Sequence, residues 1–225
     1  MKPIVDIRKW RLYVITDERL SKGRSHVEIA RSAIEGGADV IQLRDKTSTN
    51  RRLYEEALEI RRLTREAGVI FIINDRIDVA LAVDADGVHL GDDDFPPDVT
   101  RRLIGKSKIM GISATTLEEA IAGEKAGADY LGVGPVYEAR GTKPEAVAPR
   151  GVGLITAVRA AVKIPIVSIG GLGRDNIHHP ILAGADCAAS VSAVVTADDV
   201  AATVRELTAK IIAAKAEQGN RIKSE

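Results

Sequence analysis

The sequence predicts an α/β protein folded as a single-domain (β/α)8 TIM barrel, and three observations predict it. Short Val/Ile/Leu runs recur along the chain, each ends in a polar or glycine-rich tail, and a helical pattern follows nearly every tail. The runs are near-continuously apolar, as in parallel strands buried on both faces. An Ala-Asp pair opens every second strand, at Ala38-Asp39, Ala85-Asp86, Ala128-Asp129 and Ala185-Asp186. Gly precedes the Ala in three of the four, and the unit reads as a helix-to-strand turn at the end of the barrel that serves stability. Eight βα units in 225 residues favour closure over an open doubly wound sheet, and no early Gly-x-Gly-x-x-Gly suggests a dinucleotide fold. One domain, 1–225, is expected, with the barrel over about 10–216 and a frayed polar tail at 217–225.

The first strand is expected near 11–16 and its helix near 25–36. The second, 39–43, runs from Val40-Ile41 into Gln42-Leu43-Arg44-Asp45-Lys46. Helix 50–67 follows, with Leu53, Ala57, Ile60 and Leu63 on one stripe and Gly68 as its stop. The third strand, 69–73, leads into Asn74-Asp75-Arg76 and a helix over 75–82. The fourth, 86–90, leads into Gly91-Asp92-Asp93-Asp94 and a helix over 97–104. The fifth, 107–112, ends at Ser113 before helix 116–126, which Gly127 closes. The sixth, 129–133, opens the long polar loop Gly134 to Pro144 before helix 151–162. The seventh, 165–169, ends in Gly170-Gly171 before helix 174–182; the eighth, 186–191, ends at Val191-Ser192 before helix 197–216.

Lys plus Arg and Asp plus Glu are each 32, so no global field draws the chain to nucleic acid or a membrane surface. Aromatics are 3%, too few for base-stacking platforms. Cys187 alone makes no internal disulfide and reads as a core filler. No apolar run reaches membrane-spanning length and Met1 to Trp10 is no signal peptide, so a cytoplasmic protein is expected.

The chemistry is expected at the strand ends. Asp75 and Asp94 follow adjacent strands, which lie roughly 4.8 Å apart, so two hard oxygen ligands converge for Mg2+. Taken singly, Asp75 reads equally as a helix cap and Asp92 to Asp94 as a solvated turn. Gln42, Arg44 and Lys46 alternate on one side of an extended segment, where a guanidinium and an ammonium suit a diphosphate facing the metal. The alternative is a solvated strand end with Asp45 as partner. Thr142 and Lys143 offer a hydroxyl and a cation on the long loop, a binding loop or a plain surface one. Gly170-Gly171 and Val191-Ser192 lie after strands seven and eight, where such barrels bind phosphate. Ser113 is a candidate hydrogen-bond donor. His89 reads as a hydrogen-bonded core residue, and His178 and His179 as solvated. Two phosphate-binding regions facing one metal fit the joining of a diphosphate-activated electrophile to a phosphate-bearing acceptor.

These residues resemble the thiamine phosphate synthase family. The resemblance covers about residues 11–210 and rests on Tyr13-Val14-Ile15-Thr16-Asp17, Gln42 to Lys46, Ile73-Asn74-Asp75-Arg76, Ala85 to Gly91, Asp94, Gly111-Ile112-Ser113, Ala128 to Tyr137, Thr142-Lys143, Ile169-Gly170-Gly171 and Val191-Ser192. It implies a barrel that couples 4-amino-2-methyl-5-hydroxymethylpyrimidine diphosphate to 4-methyl-5-hydroxyethylthiazole phosphate and releases diphosphate. It implies that Gln42, Arg44, Lys46, Asn74, Ser113 and Lys143 hold the pyrimidine diphosphate, with Arg44, Lys46, Ser113 and Lys143 serving catalysis. Asp75 and Asp94 would bind Mg2+, and Thr142, Gly171, Val191 and Ser192 the thiazole phosphate. The chain departs from the family pattern at Asp92, where Gln is usual, at Thr115, where His is frequent, and at Cys187, where Gly is frequent. The loop from Glu138 to Lys143 is longer and lacks a Thr near Ala139, with Arg140 as an electrostatic substitute. Two alternatives are a thiazole tautomerase-like barrel, which relies on a histidine at the Thr115 position, and a non-catalytic phosphate-ligand sensor.

Overall fold

The computed structural model describes residues 6–138 and 148–224, with side chains to Asn220. Strands β1 (Leu12–Ile15), β2 (Val40–Leu43), β3 (Ile70–Asn74), β4 (Gly87–Leu90), β5 (Ile109–Ala114), β6 (Tyr130–Val133), β7 (Ile166–Ser168) and β8 (Cys187–Ser190) are parallel and close in chain order, β8 pairing with β1. Helices α1 (His26–Glu35), α2 (Asn50–Ala67), α3 (Ile77–Ala82), α4 (Pro97–Ile104), α5 (Leu117–Lys125), α6 (Gly151–Ala161), α7 (His178–Leu182), α8 (Ser192–Val195) and α9 (Val200–Ser224) intervene and follow. Helix starts are chemically marked: Ser25 and Glu28 form a reciprocal capping box on α1, and Thr49 and Thr116 cap α2 and α5. Among the described residues no helix is long and apolar enough to cross a membrane.

Strand alternation divides the core in two. Leu12, Val14, Ile41, Leu43, Phe71, Ile73, Val88 and Leu131 face the helices. Tyr13, Ile15, Val40, Ile72, Tyr130, Val167, Cys187 and Ala189 fill the barrel, with Ile7 and Trp10 packed against them. Cys187 is fully buried, as a filler should be.

Three helix boundaries differ from expectation. Helix α7 begins at His178, not 174, because Asn176 folds back on its own loop: Gly173 N–H donates to its Oδ1 at 2.8 Å and its Nδ2 donates to Gly171 O at 2.9 Å. The expected helix over 197–216 is preceded by the separate turn α8, and the Arg24 guanidinium fills the break by donating to the carbonyls of Val195, Ala197 and Asp198. The tail expected to fray from 217 instead continues α9 to Ser224, with no proline to stop it, although Gly219 and Asn220 lie within it.

The Ala-Asp repeat does more than turn the chain. Asp39 accepts the backbone N–H of Arg11 and Leu12, Asp86 that of Phe71, Asp129 that of Met110 and Asp186 that of Ile166. Each carboxylate also pairs with an arginine: Arg11, Arg61, Arg101 and Arg159 in turn. The acid at the start of each even strand thus holds the start of the odd strand before it. The Arg61–Asp86 pair is the most enclosed, at 10% and 17% side-chain exposure. Asp86→Ala would strand a buried guanidinium and free the Phe71 N–H, so we expect a loss of about 3 kcal/mol, read as a lower urea midpoint at unchanged slope.

Candidate active site

The strand ends bring Lys46, Asp75 and Asp94 together. Asp75 leaves β3 with φ 61°, a left-handed conformation that Asp tolerates better than most residues, and its N–H donates to His89 O at 2.9 Å. The loop after β4 returns Asp94 so that Gly91 N–H donates to its Oδ2 at 2.7 Å. Asp92 and Asp93 are exposed, so the solvated-turn reading holds for those two alone. The Lys46 ammonium donates to Asp75 Oδ2, and the Asp75 and Asp94 carboxyls are close enough to raise the Asp94 pKa. Burial first, and then Asp75, push the Asp94 acid up to about 6, against the pull of the Gly91 N–H and Lys46. Two carboxyls in contact with one ammonium leave a local excess of negative charge.

Arg44 lies half-buried at the end of β2 with Nη1 3.5 Å from Asp17 Oδ2. Asp17 itself is fixed by the N–H of Arg19 at 3.0 Å. Asp45 does not partner the strand end. It turns inward, accepts from Thr47 and Ser48 N–H at 2.8 and 3.0 Å, and faces His26.

Gln42 points into the barrel and begins a relay that the sequence reading missed. Gln42 Nε2 donates to Tyr13 Oη at 2.7 Å. Tyr13 then has its own hydrogen for Tyr130 Oη (2.9 Å), and Tyr130 its hydrogen for His89 Nδ1 (2.9 Å). That leaves Nε2–H of His89 to donate to Ser113 Oγ at 3.1 Å, and the Ser113 hydrogen for a ligand. Burial raises the phenol pKa of both tyrosines, so both stay protonated donors. Trp10 packs edge-on against Tyr13 and Tyr130, and His89 stacks on Tyr130 at 5.6 Å. Glycines make room: a Cβ on Gly111 would lie 2.1 Å from Tyr130 Cζ, and one on Gly132 would lie 2.8 Å from His89 Cε1. The available signal was two tyrosines at inward strand positions, one of them, Tyr130, opposite Gly111. His89 is the hydrogen-bonded core residue expected, whereas His179 is not simply solvated, since its Nδ1 lies 2.7 Å from Tyr137 Oη.

On the far side of the mouth, the loops after β6 and β7 press together. Gly171 has φ 62°, and a Cβ there would lie 2.6 Å from Glu138 O, so this glycine serves loop-on-loop packing. Val191-Ser192 opens α8, and Gly173 lies against Ala193, which places the ends of β7 and β8 side by side. Asn74 ends β3 next to His89 on β4. Thr142 and Lys143 lie outside the described residues. Thr115 donates both its N–H and its hydroxyl to Glu119 Oε2, at 2.6 and 2.9 Å.

The sequence matches the model of a family described as thiamine monophosphate synthase over residues 12–194. A thiamine-phosphate synthase of Chloroflexus aurantiacus is 55% identical over 208 residues, 92% of this chain and 95% of the relative. One from Moorella thermoacetica is 51% identical over 199 residues, 88% of this chain and 94% of the relative. The solved thiamine phosphate pyrophosphorylase of Pyrococcus furiosus superposes with a TM-score of 0.85 at 42% identity, covering 92% of this chain and 98% of its own. With the family model spanning most of the barrel and relatives above half identity, the chain belongs to the thiamine monophosphate synthase family.

Proposed function

We propose that this chain joins 4-amino-2-methyl-5-hydroxymethylpyrimidine diphosphate to 4-methyl-5-hydroxyethylthiazole phosphate, giving thiamine phosphate and diphosphate. The observation that carries the reading at the level of the site is the Asp75–Asp94 contact with Lys46 against it, beside Arg44 and Ser113 at one rim. The two carboxyls are hard donors with uncompensated negative charge, and they fit Mg2+. When bound by Asp75 and Asp94, Mg2+ supplies positive charge to the leaving diphosphate.

The chain's own residues supply the rest. Arg44 and Lys46, with Lys143 from the long loop, bind the diphosphate oxygens and stabilise the charge that grows there. Ser113, oriented by His89, turns its hydrogen to the same ligand. Gln42 and Asn74 hold the pyrimidine. Gly171, Val191 and Ser192, at the ends of β7 and β8, hold the thiazole phosphate together with Thr142. The C–O bond to diphosphate breaks with its electron pair on the departing oxygen. The resulting pyrimidine-methyl cation is captured by the thiazole nitrogen lone pair, and a closed mouth keeps water from it. We place the enzyme in the cytoplasm, acting on small molecules, on its zero net charge and lone buried cysteine.

Thr115 speaks against the tautomerase-like alternative, because its hydroxyl is committed to Glu119. An assay with both substrates and Mg2+ tests the proposal: diphosphate release that requires the thiazole partner supports it, and binding of both without turnover favours the sensor. A pH effect is also expected. The Asp94 pKa is raised from 3.8 to about 6, so its contribution to stability is full below 3.8 and is lost as pH rises through about 6. Mg2+ has to displace that proton below about 6, so its affinity should increase as pH climbs through this window, measured by calorimetric titration in buffers of different ionisation enthalpy.

A further inference from the structure

We propose that Glu18, His26, Asp45 and Glu56 form a second cation site, for a zinc-class transition-metal ion, directly behind the segment that carries Arg44 and Lys46. One ligand atom from each of Glu18, His26 and Glu56 lies within 4.8 Å of the others. They come from separate elements: the turn after β1, the start of α1, and α2.

The proton pattern on His26 leaves a lone pair without a partner. Its Nδ1 lies 2.7 Å from Thr16 Oγ1, and the Thr16 hydroxyl donates its only hydrogen to Gln42 O at 3.3 Å. The Nδ1–H tautomer fits this pattern, and in it Nε2 presents a lone pair. Nε2 faces Asp45 Oδ2 at 3.5 Å. The Asp45 side chain is 3% exposed, and Oδ2 accepts no hydrogen bond. Glu56 Oε2 is likewise sealed and accepts no hydrogen bond. Buried carboxylate oxygens that accept no hydrogen bond, as on Asp45 and Glu56, are costly unless a positive charge joins them.

The donor set selects the ion. An imidazole nitrogen with carboxylates suits Zn2+, Co2+ or Mn2+ over Mg2+, which prefers oxygen and water. The Thr16 contact to Nδ1 is the outer support that fixes a ligating ring. A cavity of about 150 Å3, lined by Glu18, His26, Asp45 and the rim residues Arg44 and Lys46, gives access from the mouth. Arg52 now spans Glu18 and Glu56, donating to Glu18 at 2.5 and 2.6 Å and to Glu56 Oε1 at 3.2 Å. Its side chain is 51% exposed, so it can swing into solvent as an ion enters. The ion would then tie the loops after β1 and β2 to α1 and α2, and stiffen the cationic wall. The aspartate pair at Asp75 and Asp94 is a separate site.

The test titrates chelator-treated full-length protein with Co2+, followed by visible absorption, and with Zn2+, followed by calorimetry. The Asp94→Asn variant serves as background to silence the aspartate pair. One Co2+ should still bind there. Glu56→Gln, and Glu18→Gln on the partly exposed turn as a variant with little folding risk, should weaken it by about tenfold or more. Arg52→Gln should tighten it, which a merely structural cluster would not do. Loss of all Co2+ binding in Asp94→Asn, or unchanged affinity in Glu18→Gln and Glu56→Gln, overturns the proposal and leaves His26 as a protonated partner of Asp45.

Discussion

Asp94→Ala, and equally Asp75→Ala, is expected to remove Mg2+-dependent turnover while the barrel stays folded. The fall in kcat/KM should be about three orders of magnitude, about 4 kcal/mol of transition-state stabilisation. The size follows from the chemistry: the leaving diphosphate gathers charge that Arg44, Lys46 and Lys143 offset only in part, and the two acids are the groups that recruit the remainder. The fold should survive because Asp94 sits on a rim loop and its main protein contacts are the Gly91 N–H and its own like-charged neighbour. Removing Asp94 relieves that repulsion. Far-UV circular dichroism should therefore match the parent, and the Asp94 variant should lose the decline in stability between pH 3.8 and about 6. Parental rates in both variants would refute the assignment of the acids.

Gly111→Ala is expected to destabilise the barrel strongly. The added methyl would stand 2.1 Å from Tyr130 Cζ and 2.4 Å from its Oη, far inside contact distance. The ring has nowhere to go, since Trp10 and Tyr13 abut it and His89 stacks on its face. We expect a loss of about 3 kcal/mol, seen in differential scanning calorimetry as a midpoint roughly 6–12 °C lower. Gly132→Ala makes an instructive contrast. Its methyl would press only on the edge of His89, 2.8 Å away at Cε1, so stability should fall less. Turnover should fall more than stability does, because His89 would lose its alignment with Ser113. Equal thermal midpoints for Gly111→Ala and the parent would show that the ring is not pinned.

The barrel was legible in the chain because every strand is an apolar run closed by a chemical tail, and the observed strands fall within two residues of those read from the sequence. Asp75 and Asp94 were legible for a similar reason, since two acids after consecutive parallel strands have to emerge on one rim. What escaped the reading depends on contacts between elements distant in sequence. Tyr13 and Tyr130 are 117 residues apart, and nothing local says that their hydroxyls meet. Asp45 looked like a solvated partner for Arg44 and Lys46, but Thr47 and Ser48 draw it inward. The break before α9 is made by Arg24, far upstream, which no helical periodicity reveals.

The aspartate hooks at the floor have an architectural consequence. Each joins one odd strand to the even strand after it: β1 with β2, β3 with β4, β5 with β6, β7 with β8. The wall is therefore assembled from four quarter-turn modules, each fastened within itself. Fragments divided between β4 and α4 keep every fastening whole, Arg101–Asp129 included, and should reassemble on mixing. Fragments divided between β3 and β4 separate Phe71 from Asp86 and should associate poorly. Such modularity suits growth by duplication, with each doubling bringing its own fastener, and leaves the opposite rim free to acquire new chemistry without disturbing the foundation.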